Sequence, residues 1–501
     1  MPTNFYDVIV LGDDLAGLIG AALCARRGLR VLVIETAETP PEKYAIGPYT
    51  LPRAPLPFPC EPSPAVRRVV AELSFIQSLK RRLQPLRPAF QIVLPDARLD
   101  VSADVDALGR EVDRELPGDR ELALALCARA AEVGKLLDPV LGQDISLPPE
   151  GFWERRELKY TDAKLAASAA ELLPGAPAGH PVHAIAALPA AFTLATDPRA
   201  THPAAALRAF DLWRRAGALL QGGRDTLRQM LVDKLRTQHA GEVRRVVPGG
   251  LPTRWGRIQG VTLQGREETL GAQALLCARP VAELGDLLGG RWPKRLLALS
   301  RAIRPTAYRY VLHLVLAEAG VPAGIAPVVF AVVDPTAPLV GDNAFALYVG
   351  EPDDDARVLC TVVANAPAPG DGENLEDILA ALRRRLLRRV EEVMPFYADH
   401  LLCVHSPNQA RPPEGLDVDA RDTPPVIAPE PLWSSELPAA LGVGALPYDL
   451  GIKGVTAAAA QNLPGLGLEG EFTAGWCAAR LVSGAAGRKR DYLKDEVLLG
   501  G

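Results

Sequence analysis

Gly12, Asp14 and Gly17 fill the three glycine positions of a GxGxxG turn, and Glu35 follows at the end of the next strand. In that pattern the turn cradles the pyrophosphate of a dinucleotide on a helix N-terminus, and the later acid holds a ribose hydroxyl. The second glycine lets backbone amides approach the phosphate, so a carboxylate at position 14 blocks the approach and adds negative charge. Asp13 adds another. At about 5 Å and an effective dielectric near 20, one carboxylate and one phosphate charge repel by roughly 3 kcal/mol, about two orders of magnitude in affinity. Two arrangements follow. Either Asp13 or Asp14, both good N-cap residues, caps the orphan amides and fills the anion site itself; or the acids turn to solvent and a dinucleotide binds along Gly12, Asp13, Asp14, Leu15, Ala16 and Gly17. Gly12 and Gly17 also serve a tight turn and close helix packing without any ligand.

The elements that must position this turn are legible around it. Residues 8–11 read as a buried strand; Leu15, Leu18, Ile19, Ala22 and Leu23 as one apolar face of a helix ending near Gly28; and residues 30–34 as a second strand. Residues 36–64, rich in proline, read as a long loop and residues 65–86 as a helix. Strands follow at 90–94 and 98–101, then a helix capped near Asp104, a helix over 121–141 and a helical insertion over 152–205. The insertion carries His180, His183 and His202, read as surface or packing residues, with no metal expected.

Gly222 and Gly223 precede a helix with Leu227, Met230, Leu231 and Leu235 on one face, then a strand at 243–247 and a hairpin around Gly265. Alternation over 308–316, 327–333, 344–350 and 358–363 predicts an antiparallel sheet. Asn374 caps a helix over 375–393 whose arginines, Arg383, Arg384, Arg385, Arg388 and Arg389, are read mostly as its solvated face, with contact to a membrane surface or an acidic partner as the alternative.

Composition narrows the function classes. A formal net charge of −5 over 501 residues argues against a nucleic-acid partner held by phosphate contacts. Seven cysteines without CxxC spacing fit reduced core thiols in a cytoplasmic protein, and no segment approaches 18 uninterrupted apolar residues. The N-terminus enters its first strand without the pattern of a secretory signal.

Three separated blocks resemble the phytoene desaturase-like branch of the FAD-dependent amine oxidase superfamily: the unit from Asp7 to Glu35, the QGGRDTLRQMLVDKL and GEVRRVV blocks that follow Leu220, and PGLGLEGEFTAGWCAARLVSG from Pro464 to Gly484. The resemblance implies an α/β fold, a Rossmann-like FAD-binding domain with a second substrate domain of antiparallel sheet and helices. It implies that Val243 brings backbone to the adenine, and that Gly467, Leu468 and Gly470 bring a helix N-terminus to the flavin. The nucleotide domain would be assembled from residues 1–85, 209–290 and 441–501, and the substrate domain from 86–208 and 291–440. The chain departs from the family at Asp14, at a GGR motif missing from AETPPEKYAIGPYT, and at Ala459 and Ala460, which stand where the family has a glycine and an acid.

The expected function is thus FAD-dependent oxidation, desaturation or isomerisation of an apolar, isoprenoid or lipid-like substrate, reached through a peripheral membrane contact. Flavin chemistry needs no obligatory protein acid or base, so no catalytic side chain is named. The alternative is a cofactor-free binding or scaffolding protein on a flavoprotein fold, resembling the Rab GDP-dissociation inhibitors, with a partner protein in place of a substrate. An enzyme using NAD(P) alone leaves the PGLGLEG block without a role.

Overall fold

The structure, a computed structural model, describes residues 4–12, 14–35, 41–237, 241–266, 268–416 and 424–487. Asp13 and the tail from Arg488 lie outside the described residues. The first sheet has seven strands, in the order Pro248–Gly250, Gly260–Leu263, Thr269–Cys277, Asn4–Leu11, Val31–Glu35 and Glu242–Arg245, with Val455–Ala457 beside Thr269–Cys277. Its central strands are parallel and its Gly260–Leu263 edge antiparallel. Helix Leu15–Arg26 makes the first crossover. It is buried on all sides from Leu15 to Ala25, not along one apolar face, because helix Gly467–Ala485 closes over it. The approach needs glycine: a Cβ on Gly475 would stand 2.5 Å from the Ala16 carbonyl oxygen.

The second sheet has eight strands, in the order Leu401–His405, Ile303–Ala317, Arg357–Pro367, Ala344–Val349, Val328–Val332, Phe90–Val93 and Arg98–Val101, with Glu430–Ser435 beside Ile303–Ala317. Leu379, Leu382, Leu386 and Val390 of helix Leu375–Val393 cover one face. Asn374 caps that helix by accepting the Glu376 amide. Arg383 departs from the solvated-face reading: it is buried and pairs with Glu414 at 3.2 Å. On the other face Phe90 and Phe330 stack edge-on against Trp213, from helix Pro203–Ala216.

Two other expectations are corrected. Residues 65–86 form two helices, Pro64–Glu72 and Ile76–Lys80, broken at Ser74, whose φ of 56° no helix tolerates, followed by strand Leu83–Pro85. The loop after the second strand contains a hairpin, Lys43–Ile46 with Tyr49–Pro52. It is tied to the second sheet where the Tyr44 hydroxyl meets His405 Nδ1 at 3.0 Å. His180 and His202 act as helix N-caps, accepting the Val182 and Ala204 amides. The seven cysteines are buried free thiols.

Candidate functional site: a self-filled anion cradle

Gly12 and Gly17 are where packing demands glycine. Gly12 has φ +101°, and Cβ atoms on the two would stand 2.5 Å from the Ala278 carbonyl oxygen and 2.2 Å from the Ala278 Cβ. Asp14 is the N-cap residue of Leu15–Arg26, yet its side chain makes no capping hydrogen bond. The carboxylate reaches across the cleft instead. Oδ2 accepts the backbone amide of Ala460 at 3.3 Å and Oδ1 accepts from Arg224 at 3.2 Å. A guanidinium and an amide from the closing segment outcompete the helix's own amides because a charged hydrogen bond is the stronger one. The amide of Ala16, in the first helical turn, meets the carboxyl group of Glu471 from helix Gly467–Ala485.

Arg224, just after the Gly222–Gly223 turn, sits among acids. It lies 3.4 Å from Glu42 and 4.0 Å from Glu471, while Arg53 meets Glu430 at 3.8 Å. Desolvation would lower the Arg224 pKa, but the charges of Glu471, Glu42, Glu430 and Asp14 raise it on balance, so it stays cationic. Glu471 behaves differently. Burial first, and the Asp14 carboxylate second, push its carboxyl up to about 8, against the pull of Arg224 and the Ala16 amide. At neutral pH it is therefore protonated, whereas, despite burial, Arg53, Arg224 and Arg309 hold the Glu430 carboxyl below its ordinary value.

These groups line a cavity of about 650 Å³ between the two sheets, in the size range of small-molecule sites. Phe192, Trp213, Val311, Tyr348 and Val363 line it too. Arg309, the register partner of Glu430 in the second sheet, donates to the Ala191 and Leu194 carbonyls at 2.8 and 2.6 Å, at the C-terminus of helix Pro181–Thr193. Glu469 is a further lining residue and belongs to a buried ion cluster: Arg208 donates to it at 2.6 Å and also reaches Asp138 at 2.7 Å.

Of the residues singled out from the sequence, Gly12, Asp14, Gly467 and Leu468 come together on this cavity. Leu15, Ala16 and Gly17 form the buried first turn behind it, and Gly470 packs on the Leu463 carbonyl. Glu35 and Val243 are not on its wall; Val243 pairs with Val33 in the sheet, and the Glu35 carboxylate is bonded to Arg228. Trp476 points away, under the Arg68 guanidinium 4.2 Å from its ring centroid. Arg224, Glu42, Glu430 and Glu471 escaped sequence reasoning, since no spacing links them. The one signal was Arg224 directly following Gly222–Gly223 at a helix start.

The donors fit an anion. The Ala16 and Ala460 amides and the Arg224 guanidinium converge at the turn where a dinucleotide's phosphates would lie, and the chain's own carboxyl groups take all three. A phosphate must displace Asp14 to use Ala460 and Arg224, and Glu471 to use Ala16.

No family model matches the chain, and no curated protein matches it. Solved structures do. An oxidoreductase from Methanosarcina mazei is 13% identical with a TM-score of 0.58, over 94% of this chain and 98% of that one. Cyclohexylamine oxidase from Brevibacterium oxydans is 14% identical with a TM-score of 0.56, over 96% and 99%. Putrescine oxidase, in a structure bound to putrescine, is 14% identical with a TM-score of 0.57, over 97% and 100%. Over 94–97% of its length the chain shares the fold of these proteins: a Rossmann-like domain joined to a second, largely antiparallel sheet domain.

Proposed function

We propose that this chain is a flavin-dependent oxidoreductase of the desaturase-like type, acting on an apolar, lipid-like substrate, with FAD held weakly. The observation that carries this reading is the convergence of the Arg224 guanidinium and the Ala460 amide on a cavity that Phe192, Trp213, Val311 and Val363 also line. When bound, FAD supplies the hydride acceptor for a C–H bond. Arg224 and the Ala460 amide would hold its phosphates with Asp14 turned aside, and the Ala16 amide would join them with Glu471 turned aside as well. Phe192, Trp213, Val311 and Val363 exclude water and orient an apolar chain. Glu471, protonated at neutral pH, adds no charge against the phosphates. Asp14 does, and the cost is the roughly 3 kcal/mol of one like-charge contact.

A specific observation favours the second reading, a cofactor-free binding protein on a flavoprotein fold. Asp14 already accepts from both Arg224 and Ala460, and Glu35 is bonded to Arg228. Titration of the purified protein with FAD, followed in the visible flavin bands, separates the two. Near-stoichiometric yellow flavin supports the oxidoreductase; a colourless protein that ignores FAD supports the binding protein.

A further inference from the structure

Helix Phe152–Ser168 carries its charges in an uncommon arrangement. Leu158 and Leu165 face the protein and are buried. Two of its carboxylates are engaged on the protein side: Glu154 takes Arg480 at 2.9 Å and the amides of Ser146 and Glu150, and Asp162 takes the Leu441 amide at 3.3 Å. At about 100° per residue, Phe152, Trp153, Arg156, Lys159, Tyr160 and Lys164 share one outward arc of about 140°. Phe152, Trp153 and Tyr160 are 65%, 72% and 68% exposed. Alanines 163 and 167 fill the rest of the arc, and the third carboxylate, Glu157, stands at its edge. The cations sit beside the rings, with Lys164 Nζ 4.5 Å from the Tyr160 centroid and the Arg156 guanidinium 5.7 Å from that of Trp153.

Three exposed aromatic rings on one helix face are costly to leave in water, and single exposed apolar residues elsewhere are ordinary. Aromatic rings interleaved with Lys and Arg, with the carboxylates turned inward, match the chemistry of an anionic bilayer surface: rings enter the headgroup layer and cations meet lipid phosphates. The patch is basic on a chain of net charge −5, so a negatively charged surface also orients the whole protein toward it. We propose that the outward face of helix Phe152–Ser168 docks this protein on anionic lipid membranes. Among the described residues no helix is long and apolar enough to cross a membrane, so the contact is peripheral. The proposal is independent of whether FAD is bound.

The test is co-sedimentation of the full chain with vesicles of phosphatidylcholine alone and of phosphatidylcholine with phosphatidylglycerol. Binding is expected only to the second, weakening with added salt. Arg156→Glu with Lys164→Glu should weaken it at least about twenty-five-fold, at about five-fold per cation removed. Phe152→Ser with Trp153→Ser should abolish it, while Lys159→Arg should leave it unchanged. All these side chains are exposed, so melting by circular dichroism should match the parent. Equal binding to both vesicle types, or variants that sediment like the parent, would overturn the proposal. So would a dimer by light scattering that Trp153→Ser dissociates, since a second copy would then cover the face.

Discussion

The aromatic and the charged residues that line the cavity solve the same packing problem in opposite ways. The side chains of Phe192, Val311 and Val363 border the space with no polar atom, and Trp213 donates its indole N–H to Thr193. Asp14, Glu42, Glu430 and Glu471 instead close around Arg224, and the donors that would serve a phosphate are already taken. Apolar walls lose little by bordering a cavity that accepts a ligand of similar character, whereas buried amides and a guanidinium must be satisfied at all times. The contrast shows that this fold accommodates an anion cradle filled by the chain's own carboxyl groups.

The largest expected effect lies at Glu469, which lines the cavity and is held by a buried cation. Arg208→Ala leaves Glu469 buried without its cation and should lower stability by about 3–5 kcal/mol, read as a shift in denaturant midpoint. Next is Asp14→Gly, which frees the Ala460 amide and Arg224. FAD affinity by spectral titration should rise about a hundredfold, from roughly 3 kcal/mol of removed repulsion. An unchanged affinity would mean that the charged cluster around Arg224 does not govern cofactor binding.

Glu471→Gln separates charge from packing. The folded protein holds the Glu471 proton up to about pH 8, while the unfolded chain releases it near the ordinary glutamate value. The native state thus binds the extra proton in that window, and parental stability should fall as pH rises from about 5 to 8. Glu471→Gln should flatten that fall, because a glutamine has no proton to release between those values. A thermal-melt series against pH reads it. The smallest effect is at Glu35, whose pair with Arg228 is partly exposed: Glu35→Gln should change stability by less than about 1 kcal/mol. A large loss of affinity for an adenosine nucleotide in that variant would return Glu35 to a ribose-binding role.

Local patterns made much of the scaffold legible. The strand and turn at Gly12, the caps at Asp104 and Asn374, and the antiparallel alternation from Tyr308 onward each follow from dihedral preference and apolar periodicity over a few residues. The hairpin at residues 43–52 was hidden because proline-rich flanks masked its alternation. The burial of helix Leu15–Arg26 on every side was hidden because its cover, Gly467–Ala485, lies at the other end of the chain.

The sequence by itself determined that an acid stands in the nucleotide turn, that Gly12 and Gly17 allow that turn, and that the chain folds as a two-sheet α/β protein. Only the tertiary structure decided what the acid does. Asp14 meets an arginine 210 positions away and an amide 446 positions away. The strength of those bonds depends on burial and on neighbouring charges brought together by folding, which no spacing along the chain records.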